Sequence, residues 1–363
     1  MNDRQYMARA IQLAQEGIYT TQPNPRVGCV VVNDGIIVGE GFHARAGFGH
    51  AEVHALQQAG SLAHGATAYV TLEPCAHYGR TPPCANALIA AGVARVVMAS
   101  LDSNPLVAGK GQAMLEAQGI VTSVGVLEDE AKALNKGFFR RMQGGLPWVR
   151  LKMAGSLDGR TAMASGESKW ITGVDARRDV QKLRAQSGAI ITGIGTVLAD
   201  NPSLNVRPQE WLDWHYGEPV QPLRVVLDRE LRMPLEAQLL NQTGVIIVTQ
   251  QTAQHCNVQA LNAKGAEIWH LSDTQHLETV LAKLAERGIN EVLVEAGATL
   301  AGAFVRANLV DECIFYLAPT LLGSDARPLL TLAFTDMAQQ RRLVYQDMRM
   351  IGQDVRIVAR LSV

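Results

Sequence analysis

His50-Ala51-Glu52, then Pro74-Cys75, then Cys84 bring together one imidazole, one carboxylate and two thiols in an order that suits metal-assisted hydrolysis. One His and two Cys are zinc-type ligands, and three protein ligands leave the fourth tetrahedral position for water. Bound zinc lowers the pKa of water to about 7, so hydroxide is available at neutral pH. Glu52 lies two residues from the first ligand, near enough to reach that water without binding the metal itself. It would carry protons from the nucleophile to a departing amine, a role worth roughly 10²–10⁴ in rate. His50 and His54 are spaced like a zincin pair, but the acid follows the first His by two positions and not by one. His54 is expected to pack on its helix. A structural zinc site would usually have four protein ligands, and three stand out here.

The second half has no G-x-G-x-x-G fingerprint with a distant acid. It carries Thr192-Gly193-Ile194-Gly195-Thr196 after a strand, and a strand at 292–297 that runs into a helix at 298–309. Glycine at a strand-to-helix turn lets backbone amides approach a phosphate, and the helix N-terminus favours its charge. Gly297 alone reads equally well as a turn glycine.

These residues need a scaffold, and the pattern supplies two. Asp3 can cap a helix with the apolar face Met7, Ala10, Ile11 and Ala14, ended by Gly17. Val27–Val32 and Ile36–Gly41 flank Asn33-Asp34-Gly35, a hairpin signal. Strands are expected at Thr67–Thr71, Val93–Leu101 and Ile120–Val126, and helices near 51–60, 83–92 and 109–118. That is a three-layer α/β domain opened by an antiparallel hairpin. Gln143-Gly144-Gly145-Leu146-Pro147 breaks the pattern, and all five tryptophans lie beyond it. We therefore divide the chain into residues 1–145 and 146–363. The second part opens another α/β series, with strands at Val149–Met153, Ala189–Thr192, Arg224–Leu227, Val245–Val248 and Val292–Glu295. Pro202–Pro222 reads as a long loop, a common place for function.

Composition narrows the class. A chain of 363 residues, 47% hydrophobic and 18% charged, can bury two cores. Residues 1–145 carry 11 Lys plus Arg against 11 Asp plus Glu, and the remainder 22 against 23. Neither half has the basic excess of a nucleic-acid binder. No stretch approaches the roughly 18 apolar residues of a membrane span. The N-terminal MNDRQYMARAIQLAQEG is polar where a secretory leader would be apolar. Five cysteines in so long a chain form no disulfide framework, so a reducing cytoplasm is expected. Cys29, Cys256 and Cys313 are expected to be buried free thiols. A homo-oligomer without membrane or nucleic-acid partners is the expected state.

The order H-x-E, P-C, C is the grammar of zinc deaminases that act on nucleobase-type amidines. Most of them have two residues between the cysteines, whereas Ala76–Pro83 intervene here. Together with PNPRVG at 23–28, PCAHYGRTPPC at 74–84 and LDSNPLVAGKG at 101–111, this half resembles the pyrimidine deaminase of riboflavin biosynthesis. The resemblance implies a cytidine-deaminase-like fold and a 2-aminopyrimidinone substrate bearing a ribose 5-phosphate. Hydroxide would attack the carbon that carries the 2-amino group and release ammonia. It also implies that Asn24, His43, His77, Arg80, Asp102 and Asn104 line the substrate site. Arg80 is the natural phosphate partner, since guanidinium forms bidentate charge-assisted bonds.

The second half resembles the reductase of the same pathway, whose fold is similar to dihydrofolate reductase. The matching segments are LKMAGSLDGRTA (151–162), SGESKWIT (165–172), TGIGTVLADNPSLNVR (192–207) and VEAGATLAGAF (294–304). The resemblance implies that NADPH delivers hydride to C1′ of a ring-opened sugar, turning ribosyl into ribityl. By position, Ala154, Trp170, Thr196, Asp200 and the run Gly297, Ala298, Thr299, Leu300, Ala301, Gly302 and Ala303 should contact the nucleotide. Ser168, Arg184, Leu204, Arg207 and Glu295 should contact the substrate, with Lys152 and Glu295 holding the open sugar. Arg229 stands after Asp228 where similar chains often have a small hydroxyl residue. It would pair with the 2′-phosphate of NADPH or point to solvent. Two rival readings are a tRNA or nucleoside deaminase with an unrelated C-terminal nucleotide-binding domain, and a zinc-stabilised binding module.

Overall fold

The computed structural model describes residues 1–76, 83–104, 108–210, 214, 217–272 and 277–362. They fall into two compact units, Met1–Leu146 and Pro147–Val363.

The first unit opens with α1 (Asp3–Glu16), whose buried face is Tyr6, Met7, Ala10, Ile11 and Ala14. Its cap is Asn2 and not the expected Asp3: Asn2 and Gln5 form a reciprocal capping box. Asp3 instead pairs with Arg95 at 2.8 Å and accepts from the Tyr69 hydroxyl. Then follow β1 (Gly28–Asn33), β2 (Ile36–Phe42), α2 (Ala51–Ala59), β3 (Thr67–Val70), α3 (Cys84–Ala90), β4 (Arg95–Met98), α4 (Lys110–Glu116), β5 (Val121–Val124), α5 (Glu128–Leu134) and α6 (Lys136–Met142). The hairpin forms as expected, and Asp34 (φ 49°) and Gly35 (φ 77°) take the left-handed conformations of a type I′ turn.

The sheet runs β2-β1-β3-β4-β5, with β1 antiparallel to both neighbours and β3, β4 and β5 parallel. Strand β1 is buried on both faces. Val30 and Val32 pack with Met7, Ala10 and Ile11, while Cys29 and Val31 pack with Ala51, Ala55 and Ala59 of α2. Helix α2 sits unusually close to β2. A Cβ on Gly39 would lie 2.1 Å from the Ala55 carbonyl oxygen, and one on Gly41 2.4 Å from that of Ala51. Glycine in the strand and alanine on the helix thus bring the α2 backbone down onto the sheet.

The second unit contains β6 (Trp148–Ser156), β7 (Arg160–Ala162), α7 (Val174–Gln186), β8 (Ala189–Gly193), α8 (Ile194–Asp200), β9 (Leu223–Leu227), β10 (Val245–Thr249), α9 (Cys256–Ala263), β11 (Glu267–His270), α10 (Leu277–Glu286), β12 (Glu291–Glu295), α11 (Ala298–Arg306), β13 (Glu312–Ala318), β14 (Arg327–Pro328), β15 (Leu343–Ile351) and β16 (Asp354–Leu361). Its main sheet has the order β11-β10-β9-β8-β12-β6-β13-β16-β15. All pairs from β11 to β13 are parallel, and the β15–β16 hairpin adds antiparallel at one edge. Between β8 and β9 the expected long loop has one short 3-10 turn, Pro208–Glu210, among the described residues.

Cys29 and Cys313 are buried as expected, but Cys256 is exposed. It occupies the first turn of α9, whose buried residues are Val258 and Leu261. No helix among the described residues is long and apolar enough to cross a membrane.

Candidate active sites

The first site lies where α2 and α3 begin. His50 is the N-cap of α2 in extended conformation and makes no side-chain cap, which leaves its imidazole free to turn elsewhere. Its Nδ1 lies 3.2 Å from Cys84 Sγ and 3.7 Å from Cys75 Sγ. The ligand atoms of all three residues fall within 4.8 Å of one another. Cys84 opens α3, and its backbone N–H donates to Cys75 Sγ at 3.3 Å. The Cys84 hydrogen bond, with help from His50, pulls the Cys75 thiol well below its usual pKa. The same thiol pairing, with burial, pushes Cys84 up.

Glu52 sits in the first turn of α2 and is 3% exposed. Burial raises its carboxyl pKa against the opposing pull of His50. Its Oε2 is buried with no hydrogen-bond partner. A buried acceptor left open beside a His/Cys/Cys set fits zinc and its water, since such an oxygen is otherwise costly. His54 is exposed on α2, away from the expected packing, and is not among the clustered ligands.

His43 and Asn24 meet next to this set. The His43 ring stands edge-on to that of His50, with centroids 5.2 Å apart. Its Nδ1 lies 3.1 Å from the Gly49 carbonyl, which can only accept, so the proton sits there. Nε2 is then the acceptor for the Asn24 amide at 3.1 Å. Burial lowers the His43 pKa, in keeping with a neutral ring. The loop that bears Asn24 is anchored by a residue the sequence reading missed. Asn135, at the α5–α6 junction, accepts from the Arg26 N–H and donates to the Arg26 carbonyl, both at 2.8 Å. Nothing in its local sequence marks it, because its partner is 109 residues away. Asp102 and Asn104 form one turn, with the Asn104 N–H bonded to the Asp102 carboxylate at 2.7 Å. His77 and Arg80 lie outside the described residues.

The second site is a cleft of about 1950 Å³ at the carboxyl ends of β6, β8 and β12, where open α/β sheets place their ligands. Lys152 and Glu295 are register partners on β6 and β12, with Lys152 Nζ 3.9 Å from Glu295 Oε2. Arg184, in the last turn of α7, closes a two-pronged pair on the same carboxylate at 2.6 and 3.0 Å. Burial lowers the Lys152 pKa, with Glu295 opposing.

Ser168, Leu204 and Arg207 line the same cleft, as do Ala154, Trp170, Thr196 and Asp200. So do Gly297, Ala298, Thr299, Leu300 and Ala303. Ala301 and Gly302 do not. Ala301 is fully buried, and a Cβ on Gly302 would lie 2.2 Å from the Thr331 carbonyl oxygen, so this side of α11 packs inward. Arg229 is also absent from the lining; it is half-exposed and pairs with Glu230 at 3.2 Å. Two further residues escaped the sequence reading. Gln181 accepts from the Arg207 N–H and donates to Glu210, both at 3.1 Å, and Glu210 pairs with Arg207. Gln181 sits on the buried face of α7, a position that sequence periodicity assigns to the core.

Comparison with known proteins decides the family. The family model described as the RibD C-terminal domain matches residues 147–356. The one described as the cytidine and deoxycytidylate deaminase zinc-binding region matches residues 1–100. The riboflavin biosynthesis protein RibD of Escherichia coli (strain K12) is 52% identical over 369 residues, which cover 98% of each chain. The chain belongs to the RibD family. That of Haemophilus influenzae is 50% identical, covering 97% of this chain and 95% of its own. Among solved structures, Acinetobacter baumannii RibD matches with a TM-score of 0.92 at 50% identity, over 99% of both chains. The Thermotoga maritima diaminohydroxyphosphoribosylaminopyrimidine deaminase/5-amino-6-(5-phosphoribosylamino)uracil reductase matches with a TM-score of 0.87 at 33% identity, again over 99% of both.

The chain is thus a bifunctional riboflavin-biosynthesis enzyme, a zinc-dependent aminopyrimidine deaminase and an NADPH-dependent reductase. The first unit has the cytidine-deaminase-like fold and the second the dihydrofolate-reductase-like fold. A tRNA or nucleoside deaminase with an unrelated C-terminal domain is set aside, because the second half is itself the matched reductase.

Proposed function

We propose that His50, Cys75 and Cys84 hold the zinc ion and that Glu52 is the proton carrier of the deamination. When bound there, zinc supplies a Lewis acid with one open position, at which water ionises near neutral pH. Glu52 takes the proton from the attacking water and returns it to the amine, so that water and aminopyrimidine become carbonyl and ammonia. A buried carboxylate beside that water can serve both halves of the transfer. Asn24 is oriented by neutral His43 and, with Asp102 and Asn104, grips the pyrimidine and its ribose. His77 and Arg80 join them by resemblance, Arg80 toward the phosphate. The observation that carries this reading is the orphaned, buried Glu52 Oε2 beside three metal-type ligands.

In the second unit the nucleotide lies along Ala154, Trp170, Thr196, Asp200 and the cleft-facing residues of 297–303. NADPH supplies the hydride when bound. Arg184, Arg207, Ser168 and Leu204 hold the substrate, and Lys152 and Glu295 orient the opened sugar. Glu295 needs its two cationic neighbours, since an isolated buried carboxylate would take up a proton.

We assign the enzyme to the cytoplasm, and residues 1–145 and 146–363 to its two activities. A homo-oligomer is supported by β15, an edge strand on which Val344, Tyr345, Met348 and Met350 are all more than half exposed. Unpaired apolar edges are usually covered. Light scattering on the pure protein tests this point.

One assay tests the enzymatic reading. The diaminopyrimidinone ribosyl phosphate is supplied with NADPH, and ammonia release and NADPH oxidation are followed together. The expected result is equimolar ammonia and oxidised cofactor, with ammonia appearing first. NADPH oxidation that precedes ammonia release, or ammonia from a free nucleoside as efficiently, overturns it.

A further inference from the structure

Glu73 is an acid between the end of β3 and the Pro74-Cys75 ligand segment, and it is 4% exposed. Nothing in the deamination chemistry asks for a carboxylate there. Its two oxygens collect four backbone N–H groups. Oε2 accepts from Asp102 at 3.1 Å and from Gly109 at 2.9 Å. Oε1 accepts from Gly111 at 2.9 Å and from Gln112 at 3.2 Å. Donors therefore arrive from both sides of the 101–109 loop: Asp102 on its first arm, and on its second the N-cap Gly109 with Gly111 and Gln112 in the first turn of α4. The arms are also tied to each other. The Asn104 N–H donates to the Asp102 carboxylate, and the Asn104 carbonyl accepts from the Ala108 N–H at 3.0 Å. The Glu73 backbone is itself fixed, its N–H donating to the Ser100 carbonyl at 2.9 Å.

We infer that Glu73 is a positioning residue of the deaminase: by clamping both arms of this loop it holds Asp102 and Asn104 where they meet the substrate. The inference rests on the proposed substrate role of those two residues. A buried carboxylate suits the task because charge-assisted bonds to N–H are about twice as strong as neutral ones. No neutral side chain of this length accepts four donors, since an amide replaces one oxygen by an NH₂ that faces N–H groups. Space enforces the same closure. A Cβ on Gly111 would lie 2.0 Å from the Pro74 carbonyl oxygen and 3.2 Å from Glu73 Oε1, so the loop seats on Glu73 only with glycine at this position.

This role predicts an effect on substrate binding and not on metal retention. Glu73→Gln is expected to raise the deaminase KM about tenfold or more while kcat stays within about threefold. Zinc should remain at one per chain, and an unshifted first-unit transition in denaturant reports that the deaminase unit is folded. Gly111→Ala pushes the same loop off the clamp from the other side and should reproduce the split. Glu73→Asp, which keeps the charge but shortens the reach, should fall between. An unchanged KM in Glu73→Gln overturns the inference; so does zinc loss, or a fall in kcat larger than the rise in KM. Asn104→Ala separates the two levels of the argument. If it too leaves KM unchanged, the loop does not bind substrate and the reading beneath the inference fails; if it raises KM while Glu73→Gln does not, only the clamp is wrong.

Discussion

Arg184 and Glu295 are joined by two parallel hydrogen bonds of 2.6 and 3.0 Å in the wall of the reductase cleft, and each side chain is about one-tenth exposed. A pair this buried is costly to break, because the remaining partner keeps its charge out of water. Removing one member of such a pair costs about 3–5 kcal/mol. Glu295→Gln should therefore destabilise the second unit by about that amount and leave the first unit's unfolding unchanged, as read by denaturant titration of the two transitions. A loss under about 1 kcal/mol would mean that water relieves the pair. The pH dependence has a definite sign. Burial raises the Glu295 carboxyl, but Arg184 and Lys152 outweigh it and hold the pKa below the ordinary carboxylate value. Its stabilising contribution is thus complete above the unfolded carboxylate pKa, and it is lost as pH falls through the lower folded value.

Glu52→Gln keeps the shape of the acid and removes its ability to carry a proton. Zinc should stay at one per chain, and ammonia release should drop by roughly 10² or more. Reduction of supplied ribosylaminouracil phosphate should be unaffected. Near-normal ammonia release would show that another group moves the proton.

The approach of α2 to β2 ties sheet packing to chemistry. A Cβ on Gly39 would sit 2.1 Å from the Ala55 carbonyl, so Gly39→Ala must push the helix outward. Glu52 and the His50 cap ride on that helix. Overpacking of this kind costs about 1–3 kcal/mol. We expect a loss of that size from the first unit together with a deaminase rate reduced about tenfold or more, since a displacement of about 1 Å in an active site can cost 10²-fold. Full activity in Gly39→Ala, with the expected destabilisation, would mean that the helix recovers its position at the catalytic end.

Much of this arrangement was legible because it rests on local spacing. His50, Glu52, Cys75 and Cys84 stand out as types at fixed intervals, and the Asp34-Gly35 turn announces its hairpin. What stayed hidden is carried by distance along the chain. Asn135 serves Arg26, and Gln181 serves Arg207, through buried amides whose sequence neighbours show only a helix. Helices α5 and α6 were not read from the sequence, although each has seven residues, as many as α3 and α4, which were. The α1 cap was placed one residue late, since Asp3 is spent on Arg95 and Tyr69. The inward-facing Ala301 and Gly302 were assigned by motif position alone, and a motif does not say which way a side chain turns; of the two readings of Arg229, its exposed pairing with Glu230 matches the one that points to solvent. The β15–β16 hairpin lacked a signal because β15 is exposed along almost its whole length and shows no alternation.

The two activities should be separable. The zinc-type ligands all belong to the first unit and the residues lining the reductase cleft all belong to the second. Cys84→Ala removes one of three ligands and should abolish ammonia release, while reduction of supplied ribosylaminouracil phosphate stays within about threefold, as expected of sites with no shared two-state element. Extraction of zinc by a chelator should do the same to the unaltered protein. Arg207→Ala should act in the opposite sense. It deletes a cleft guanidinium that pairs with Glu210, so reduction should weaken mainly through the substrate KM, with deamination unchanged. The physical ground is locality: ligand loss disturbs the segments that carry Cys75 and Cys84, and energetic coupling to a cleft in the other unit requires an element with two arrangements that both sites bias. Circular dichroism and the reductase rate, measured on one Cys84→Ala preparation, decide the matter. Protein that keeps its native spectrum but reduces its substrate more than about tenfold more slowly would show that the zinc site sets the state of the reductase.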